Sequence, residues 1–317
     1  MNGRSGDRSG SSKILPCEEP PLFRSGFIGI IGKPNAGKST LMNCMVGEKV
    51  AISTHKPQTT RNRIMGIRTT ERCQCIFLDT PGIHAAKTAF NRQLVSTAMS
   101  VFDDVNLLLL ISDAGTPIGE DDTLVVSSLK DVEVPVVLVI NKTDLIPKEK
   151  LLPLIDKVRK LYSFEEIVPV SALKGFNVDR LLGVIEKILP EGPPYFPDDM
   201  ITDRSERFLA AEMIREQITL LTHREVPYAT AVVIDSFKED AQKRLLRLQA
   251  TIHVEKDSQK GIIIGRRGSM LKKIGTGARL EMERFFNTKV YLELFVRVQR
   301  DWARDSKMLG EIGFPND

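Results

Sequence analysis

Cysteine is scarce in this 317-residue chain, which has four, at positions 17, 44, 73 and 75. Cys73 and Cys75 lie two apart on a predicted strand and face the same side. A structural zinc site needs four suitable ligands, and no second Cys/His cluster accompanies them, so buried free thiols are expected instead. Long apolar runs are also absent. None approaches the roughly 20 residues that span a bilayer, which excludes a membrane-spanning helix. The first twelve residues are polar and rich in Gly and Ser, with no apolar signal core. Residues 1–24 are therefore expected to form a disordered tail on a cytoplasmic protein. Net charge is only +4, yet residues 241–300 carry 14 Lys/Arg against 5 Asp/Glu, and residues 261–280 have five basic residues and no acidic one. Such clustering points to a polyanionic partner.

What is present fits about two domains. Strand-like runs at Phe27–Ile31, Arg63–Arg68, Gln74–Leu78, Leu107–Ser112, Val136–Ile140 and Ile167–Val170 alternate with helical patterns at Phe90–Val101, Asp121–Leu129, Lys148–Leu161 and Val178–Leu189. This alternation predicts an α/β domain over residues 25–190, with a mostly parallel sheet covered by helices on both faces. Residues 63–78 read as a local antiparallel hairpin. The stretch 191–200 is rich in proline, which continues neither a helix nor a central strand, so it is read as a linker. Beyond it, over residues 201–317, the order becomes α-β-β-α-α-β. It begins with an amphipathic helix at Ser205–Thr222, whose apolar face carries Phe208, Ala211, Ile214, Ile218 and Leu221.

The first strand runs into Gly32-Lys33-Pro34-Asn35-Ala36-Gly37-Lys38-Ser39-Thr40, a G-x-x-x-x-G-K-[ST] stretch followed by a helical run. Strand, glycine-rich loop and helix together make a phosphate-binding P-loop. Its glycines let backbone N–H groups turn toward phosphate oxygens at a helix N-terminus. Lys38 is predicted to reach the β- and γ-phosphates and Ser39 to ligate Mg²⁺. Asp79-Thr80-Pro81-Gly82 ends the third strand, where a carboxylate can bind Mg²⁺ through water and the Gly82 N–H can meet a γ-phosphate. Asn141-Lys142-Thr143-Asp144 ends the fifth strand. The Asp144 carboxylate can accept both N1–H and the 2-amino group of guanine, a donor pair that adenine lacks. Ser171-Ala172-Leu173 ends the sixth strand and offers backbone N–H to the guanine O6.

This series resembles the five motifs of translation-factor-class GTPases. Pro57-Gln58-Thr59-Thr60-Arg61 looks like their first switch segment, whose threonine closes on Mg²⁺ and the γ-phosphate. Thr59 and Thr60 both qualify, and Thr60 is favoured. Ile83 stands where Ras-like enzymes carry a water-orienting glutamine, as in GTPases similar to Era and MnmE. That resemblance implies a catalytic set of Asn35, Lys38, Thr60 and Gly82, with Asn35 helping to hold a K⁺ ion. It also implies Mg²⁺ on Ser39, Thr60 and Asp79, and slow intrinsic hydrolysis of GTP to GDP. His84 reads as a switch-loop residue without a chemical role.

In the second domain, Gly265-Arg266-Arg267-Gly268 is a G-x-x-G loop joining two helical pieces, which is the arrangement of a type II KH domain. Such a loop clamps a nucleic-acid backbone beside an apolar groove. Arg266, Arg267, Lys272 and Lys273 supply charge, and Ile263 and Ile264 are candidates for the groove. Trp302, just past the last strand, either stacks on a base or packs beneath the domain, and packing is favoured. From about Ser25 to Arg300 the whole arrangement is similar to the Era family. The resemblance implies a GTPase that binds the 3′ end of small-subunit rRNA and acts in 30S subunit assembly. A cytoplasmic monomer is expected, with a peripheral contact at the inner membrane besides. The competing reading is a membrane-associated signalling GTPase whose basic domain contacts anionic lipid at the inner membrane.

Overall fold

The computed structural model describes residues 22–56, 60, 63–80, 82, 104–117, 119–130, 132–240, 242–300 and 302. The expected helix at Phe90–Val101, and Pro57, Thr59, Arg61, Pro81, Ile83 and His84, lie outside them.

Six strands form the first sheet: β1 (Arg24–Gly32), β2 (Ile64–Thr69), β3 (Cys73–Asp79), β4 (Leu107–Asp113), β5 (Val136–Asn141) and β6 (Glu166–Pro169). Their order is β2-β3-β1-β4-β5-β6. Every neighbouring pair is parallel except β2–β3, the expected hairpin, which is closed by the Thr70 N–H donating to the Cys73 carbonyl at 2.8 Å. The central strands are buried on both faces and read as near-continuous apolar runs for that reason. Helices α1 (Lys38–Val46) and α4 (Val178–Ile188) cover one face, through Leu41, Met42 and Met45 and through Leu181 and Ile185. Helices α2 (Glu120–Ser127) and α3 (Leu151–Val158) cover the other, through Val125 and Val158. The predicted helix over 148–161 is shorter than expected. Residues 148–150 make a 3₁₀ turn and α3 stops at Val158, with Pro153 confined to its first turn, where its missing N–H costs nothing.

The proline-rich stretch is docked along the sheet. The Gln74 side chain accepts the N–H groups of Tyr195 and Phe196 at 2.7 and 3.0 Å, and the Ile67 N–H donates to the Ile201 carbonyl at 2.8 Å. The Tyr195 ring meets Phe27 edge-on at 5.1 Å.

The second unit runs α5 (Glu206–Leu221), β7 (Thr230–Asp240), β8 (Leu245–Val254), α6 (Asp257–Ile264), α7 (Ser269–Phe285) and β9 (Lys289–Val298). This is the predicted α-β-β-α-α-β order. The strands form a sheet β7-β8-β9, antiparallel then parallel. The three helices pack on one face over Ile214, Ile218, Leu248, Ile252, Ile274 and Met282. Helix α6 begins at Asp257, ahead of the G-x-x-G loop. The Gln259 side chain accepts the N–H groups of Glu255 and Lys256, which satisfies donors at the start of that helix. Trp302 is buried, donates its indole N–H to the Ala229 carbonyl at 3.1 Å and packs on Ala231, so packing rather than base stacking accounts for it.

Candidate functional site

Every nucleotide motif emerges at the carboxyl edge of the first sheet. The strand order reverses at β1, where open α/β sheets bind ligands. Gly32 ends β1 at φ +147° and Gly37 opens α1 at φ +94°, in conformations that favour glycine. A Cβ on Gly37 would lie 2.3 Å from the Asn141 amide nitrogen, so the loop closes directly on the neighbouring motif. Gly82 approaches from the other side. A Cβ there would lie 2.6 Å from the Pro34 nitrogen.

Lys38 is buried, and its ammonium donates to the carbonyls of Gly32 and Lys33 at 3.2 and 3.0 Å. Burial pulls its pKa down to about 8, against the opposing pull of Asp79. Three oxygen-bearing side chains converge beside it. The Ser39 hydroxyl donates to Asp79 Oδ2 at 2.5 Å and lies 2.9 Å from the Thr60 hydroxyl, which is itself 3.3 Å from the same carboxylate oxygen. Thr60 thus meets the pair through its hydroxyl, and Thr59 lies outside the described residues. Asp79 is fully buried, and its Oδ1 has no hydrogen-bond partner among the described residues. Burial raises its carboxyl pKa. An orphaned buried carboxylate oxygen beside two hydroxyls is a hard-oxygen donor set, and it fits Mg²⁺. Thr80, next in the chain, donates its hydroxyl to the Ile30 carbonyl and ties the end of β3 to β1.

The loops after β5 and β6 are held to the P-loop and to one another. Asn141 donates to the Ala36 carbonyl at 2.9 Å and accepts the N–H groups of Lys142 and Ala172 at 2.8 and 3.0 Å. Its amide therefore fixes three loops in register. Lys142 sits at φ 62° and bridges the Asn35 carbonyl at 2.6 Å and Asp113 at 2.7 Å. Asp144 is exposed, with one oxygen accepting the Ser171 hydroxyl at 2.6 Å, a bond that fixes the plane of the carboxylate. Because the Ala172 N–H is turned inward to Asn141, exposed Leu173 is the next backbone donor in the turn.

Sequence reasoning missed two acidic residues here. Asp113, at the end of β4, holds Lys142 and the Gly115 N–H, and Asp122 of α2 pairs with Lys33 at 2.6 Å. A carboxylate at the end of a central parallel strand was the available signal for Asp113. Nothing in the sequence marks Asp122, whose partner is distant along the chain.

At the other end, the Arg266–Gly268 turn joins α6 to α7. Gly265 has φ 70° and ψ 177°, a region other residues avoid, and a Cβ there would lie 2.7 Å from the Met270 Cβ. Arg266, Arg267, Lys272 and Lys273 are all exposed. A groove of about 400 Å³ beside the turn is lined by Gly268, Leu271, Lys272, Gly275, Leu292 and Leu294, among others. Lys273 is not among its lining residues. The expected groove residue Ile263 is fully buried in the domain core, because α6 turns its side chain toward the sheet, and Ile264 does not line the groove. Leu271, Leu292 and Leu294 take that place.

Comparison with known proteins matches residues 27–142 to a family described as a 50S ribosome-binding GTPase and residues 225–303 to a KH domain. The chain is 59% identical over 293 residues to GTPase Era of Syntrophus aciditrophicus, covering 92% of this chain and 96% of that protein. It is 53% identical to GTPase Era of Geobacter metallireducens, covering 92% and 98%. Among solved structures, an Aquifex aeolicus Era variant bound to GDP·AlF4⁻ superposes with a TM-score of 0.86 at 41% identity, over 92% of this chain and 99% of that one. Era in complex with MgGDPNP and nucleotides 1506–1542 of 16S ribosomal RNA superposes equally well, with a TM-score of 0.86 at 42% identity over the same shares.

Proposed function

The chain belongs to the Era family of GTPases, and from that premise we propose that it holds the single-stranded 3′ end of small-subunit rRNA and releases it when bound GTP is hydrolysed. Its place is the assembly and maturation of the 30S subunit. The observation that carries this reading is the union in one chain of the Ser39–Thr60–Asp79 cluster with a basic G-x-x-G groove. The relative crystallised with MgGDPNP and a 16S rRNA segment supports it.

Ser39, Thr60 and Asp79 are the proposed Mg²⁺ holders, and the bound ion neutralises charge developing on the β- and γ-oxygens. Lys38 leaves the Gly32 and Lys33 carbonyls for the β- and γ-phosphates. The Gly82 N–H and the backbone of residues 32–40 cradle the same oxygens. Thr80 and Pro81 complete the proposed GTP-binding stretch that leads to Gly82. Asp144 accepts the guanine donor pair, Lys142 lies along the base, and Asn141, Ser171, Ala172 and Leu173 hold the base-side loops. Asn35, at φ 64° on the rim of the phosphate cavity, is the proposed K⁺ contact, since an apolar Ile83 cannot orient water. Gly265, Arg266, Arg267, Gly268, Lys272 and Lys273 receive the RNA backbone. The proposed limits are residues 1–24 for the tail, 25–190 for the GTPase domain, 191–200 for the linker and 201–317 for the KH domain.

The protein works in this reading as a cytoplasmic monomer. No helix among the described residues is long and apolar enough to cross a membrane. The test is a binding assay at moderate salt, scored for an RNA oligonucleotide of the small-subunit 3′ terminus against vesicles of anionic lipid, with GTP and ATP hydrolysis followed in parallel. RNA capture with hydrolysis of GTP alone is expected. Preferential vesicle binding, or equal use of ATP, overturns the reading.

A further inference from the structure

The segment leading from α1 to the switch threonine is gripped by the RNA-binding domain. Ile52, Ser53, Thr54, Lys56 and Thr60 line the same cavity as Lys38, Ser39 and Gly82. They form the wall of the phosphate pocket that faces α5. From α5, Glu216 reaches that wall with both oxygens. Oε1 accepts the Ser53 backbone N–H at 2.9 Å, and Oε2 accepts Lys49 Nζ at 2.5 Å. Lys49 also pairs with Glu281 of α7 at 2.6 Å. Lys56 donates to the carbonyls of Thr219 and Thr222 at the C-terminal end of α5, where the helix dipole favours a cation. On its other side the segment is tied to α1. Asn43 accepts the N–H groups of Val50 and Ala51 at 3.1 and 3.0 Å, and the Ser53 hydroxyl bonds that of Thr40, the residue after Ser39.

Glu216 is only 2% exposed. A buried carboxylate is a poor way to glue two domains, because losing its water costs much of what the pairing returns, and well-packed apolar residues would dock them as firmly. What a carboxylate offers instead is direction. One oxygen fixes a backbone N–H of the switch approach and the other fixes a cation four residues earlier. Movement of that segment breaks both bonds together and strands the charge, so the contact distinguishes two positions of the switch sharply.

We propose that Glu216, although it lies in the RNA-binding domain, is a positioning residue for GTP hydrolysis: it anchors Lys49 and Ser53 so that Thr60 reaches Ser39 and Asp79, and it thereby joins switch closure and RNA-domain placement in one equilibrium. The inference rests on the GTPase reading above. Linkage makes it reciprocal. If the anchored state is the one in which RNA binds, GTP and RNA favour each other by the same factor.

The test uses the full-length protein with Glu216→Ala and Glu216→Gln. Both are checked for native circular dichroism and for GDP affinity. GTP turnover is resolved into kcat and KM. Binding of the 3′-terminal RNA oligonucleotide is measured with GDP and with a non-hydrolysable GTP analogue. Glu216→Ala should lower kcat about tenfold, a coupling of ordinary size, with KM moving far less, and should bring the two RNA affinities together. Glu216→Gln keeps an acceptor for the Ser53 N–H and should recover part of kcat. In a double-mutant cycle with Lys49→Met, the two losses should fall well short of adding. A folded Glu216→Ala protein with wild-type kcat and an unchanged ratio of RNA affinities overturns the proposal, as does full additivity in the cycle. Absence of GTP turnover in the wild type would instead overturn the GTPase reading, so the two failures are distinguishable.

Discussion

At the scale of single residues, the proposed selectivity for guanine rests on one carboxylate. Asp144 can accept two donors from a base edge, and Ser171 fixes its plane. Replacing it by Asn substitutes a donor for one acceptor. Asp144→Asn should therefore lower GTP affinity by at least about a hundredfold, in line with sites left with an unpaired polar group, and should raise affinity for xanthine nucleotides, whose 2-oxo group accepts a hydrogen bond. Competition binding with GTP and XTP measures the shift, and unchanged preference for GTP would contradict the assignment. The positions of these motifs were legible because each sits at the end of an apolar run. The Asn141 contacts were not. A buried amide that joins three loops depends on distances between strand ends, and those are set by sheet order rather than by spacing along the chain. Glu216 was equally hidden, since a lone glutamate on an amphipathic helix reads as solvated surface. Burial and the neighbouring Glu281 push its carboxyl up to about 7 from an ordinary 4.5, against the pull of Lys49. The folded protein then holds this proton more tightly than the unfolded chain does. The resulting stabilisation is fully present below about pH 4.5 and is lost as pH rises through about 7, with a full size on the order of 3 kcal/mol. Lys49 from the segment after α1 and Glu281 from α7 are the charged groups facing it. The wild type should accordingly lose more stability than Glu216→Gln between pH 5 and pH 8 in denaturant titrations. Parallel losses in the two proteins would contradict the shift.

At the scale of elements, the two glycines of the G-x-x-G turn differ although the motif treats them alike. Gly265 combines a conformation nearly restricted to glycine with a Cβ direction that runs into the Met270 backbone at 2.9 Å. Gly268 is left-handed at φ 77° and has open space where a Cβ would stand. Gly265→Ala should destabilise the domain by about 3 kcal/mol and Gly268→Ala by about 1 kcal/mol, as read by denaturant unfolding. Equal losses would mean that the turn relaxes around either. The strands were read from the sequence to within a few residues, because burial on both faces leaves unbroken apolar runs. Helix α5 was read only in part. Its Ile214–Ile218 stripe does meet the core of its own domain. A second face carrying Glu216 and Thr219 is also buried, under a different domain, and polar residues give no periodic signal for such burial. The start of helix α6 carries little sequence signal, because its first turn is polar and its N-terminal donors are met by a glutamine rather than by Ser, Thr, Asp or Asn.

At the scale of the whole molecule, the nucleotide site and the RNA groove lie on separate sheets, so either is removable alone. Changing Arg266 and Arg267 together to Asp places negative charge where RNA phosphates are proposed to bind and leaves both glycines intact. RNA affinity should fall nearly uniformly across sequences, since phosphate contacts position the chain and base contacts specify it. The salt dependence should flatten by roughly 0.7 in log–log slope per lost contact. GTP affinity without RNA should not change. Wild-type RNA binding by this variant would remove the groove from the account. The passage from the first sheet to the second was visible in the sequence through the proline-rich stretch and the change in element order. The polar contact through which the units meet was not, because Lys49 and Glu216 are distant along the chain and ordinary in type. The most direct measurement of the central claim is the affinity of one RNA oligonucleotide, the 3′ terminus of small-subunit rRNA, for the same wild-type preparation loaded with GDP or with a non-hydrolysable GTP analogue in Mg²⁺. Tighter binding in the analogue-loaded state, by about 5- to 150-fold, is the predicted result, and equal affinity in the two states would contradict a GTP-controlled hold on RNA.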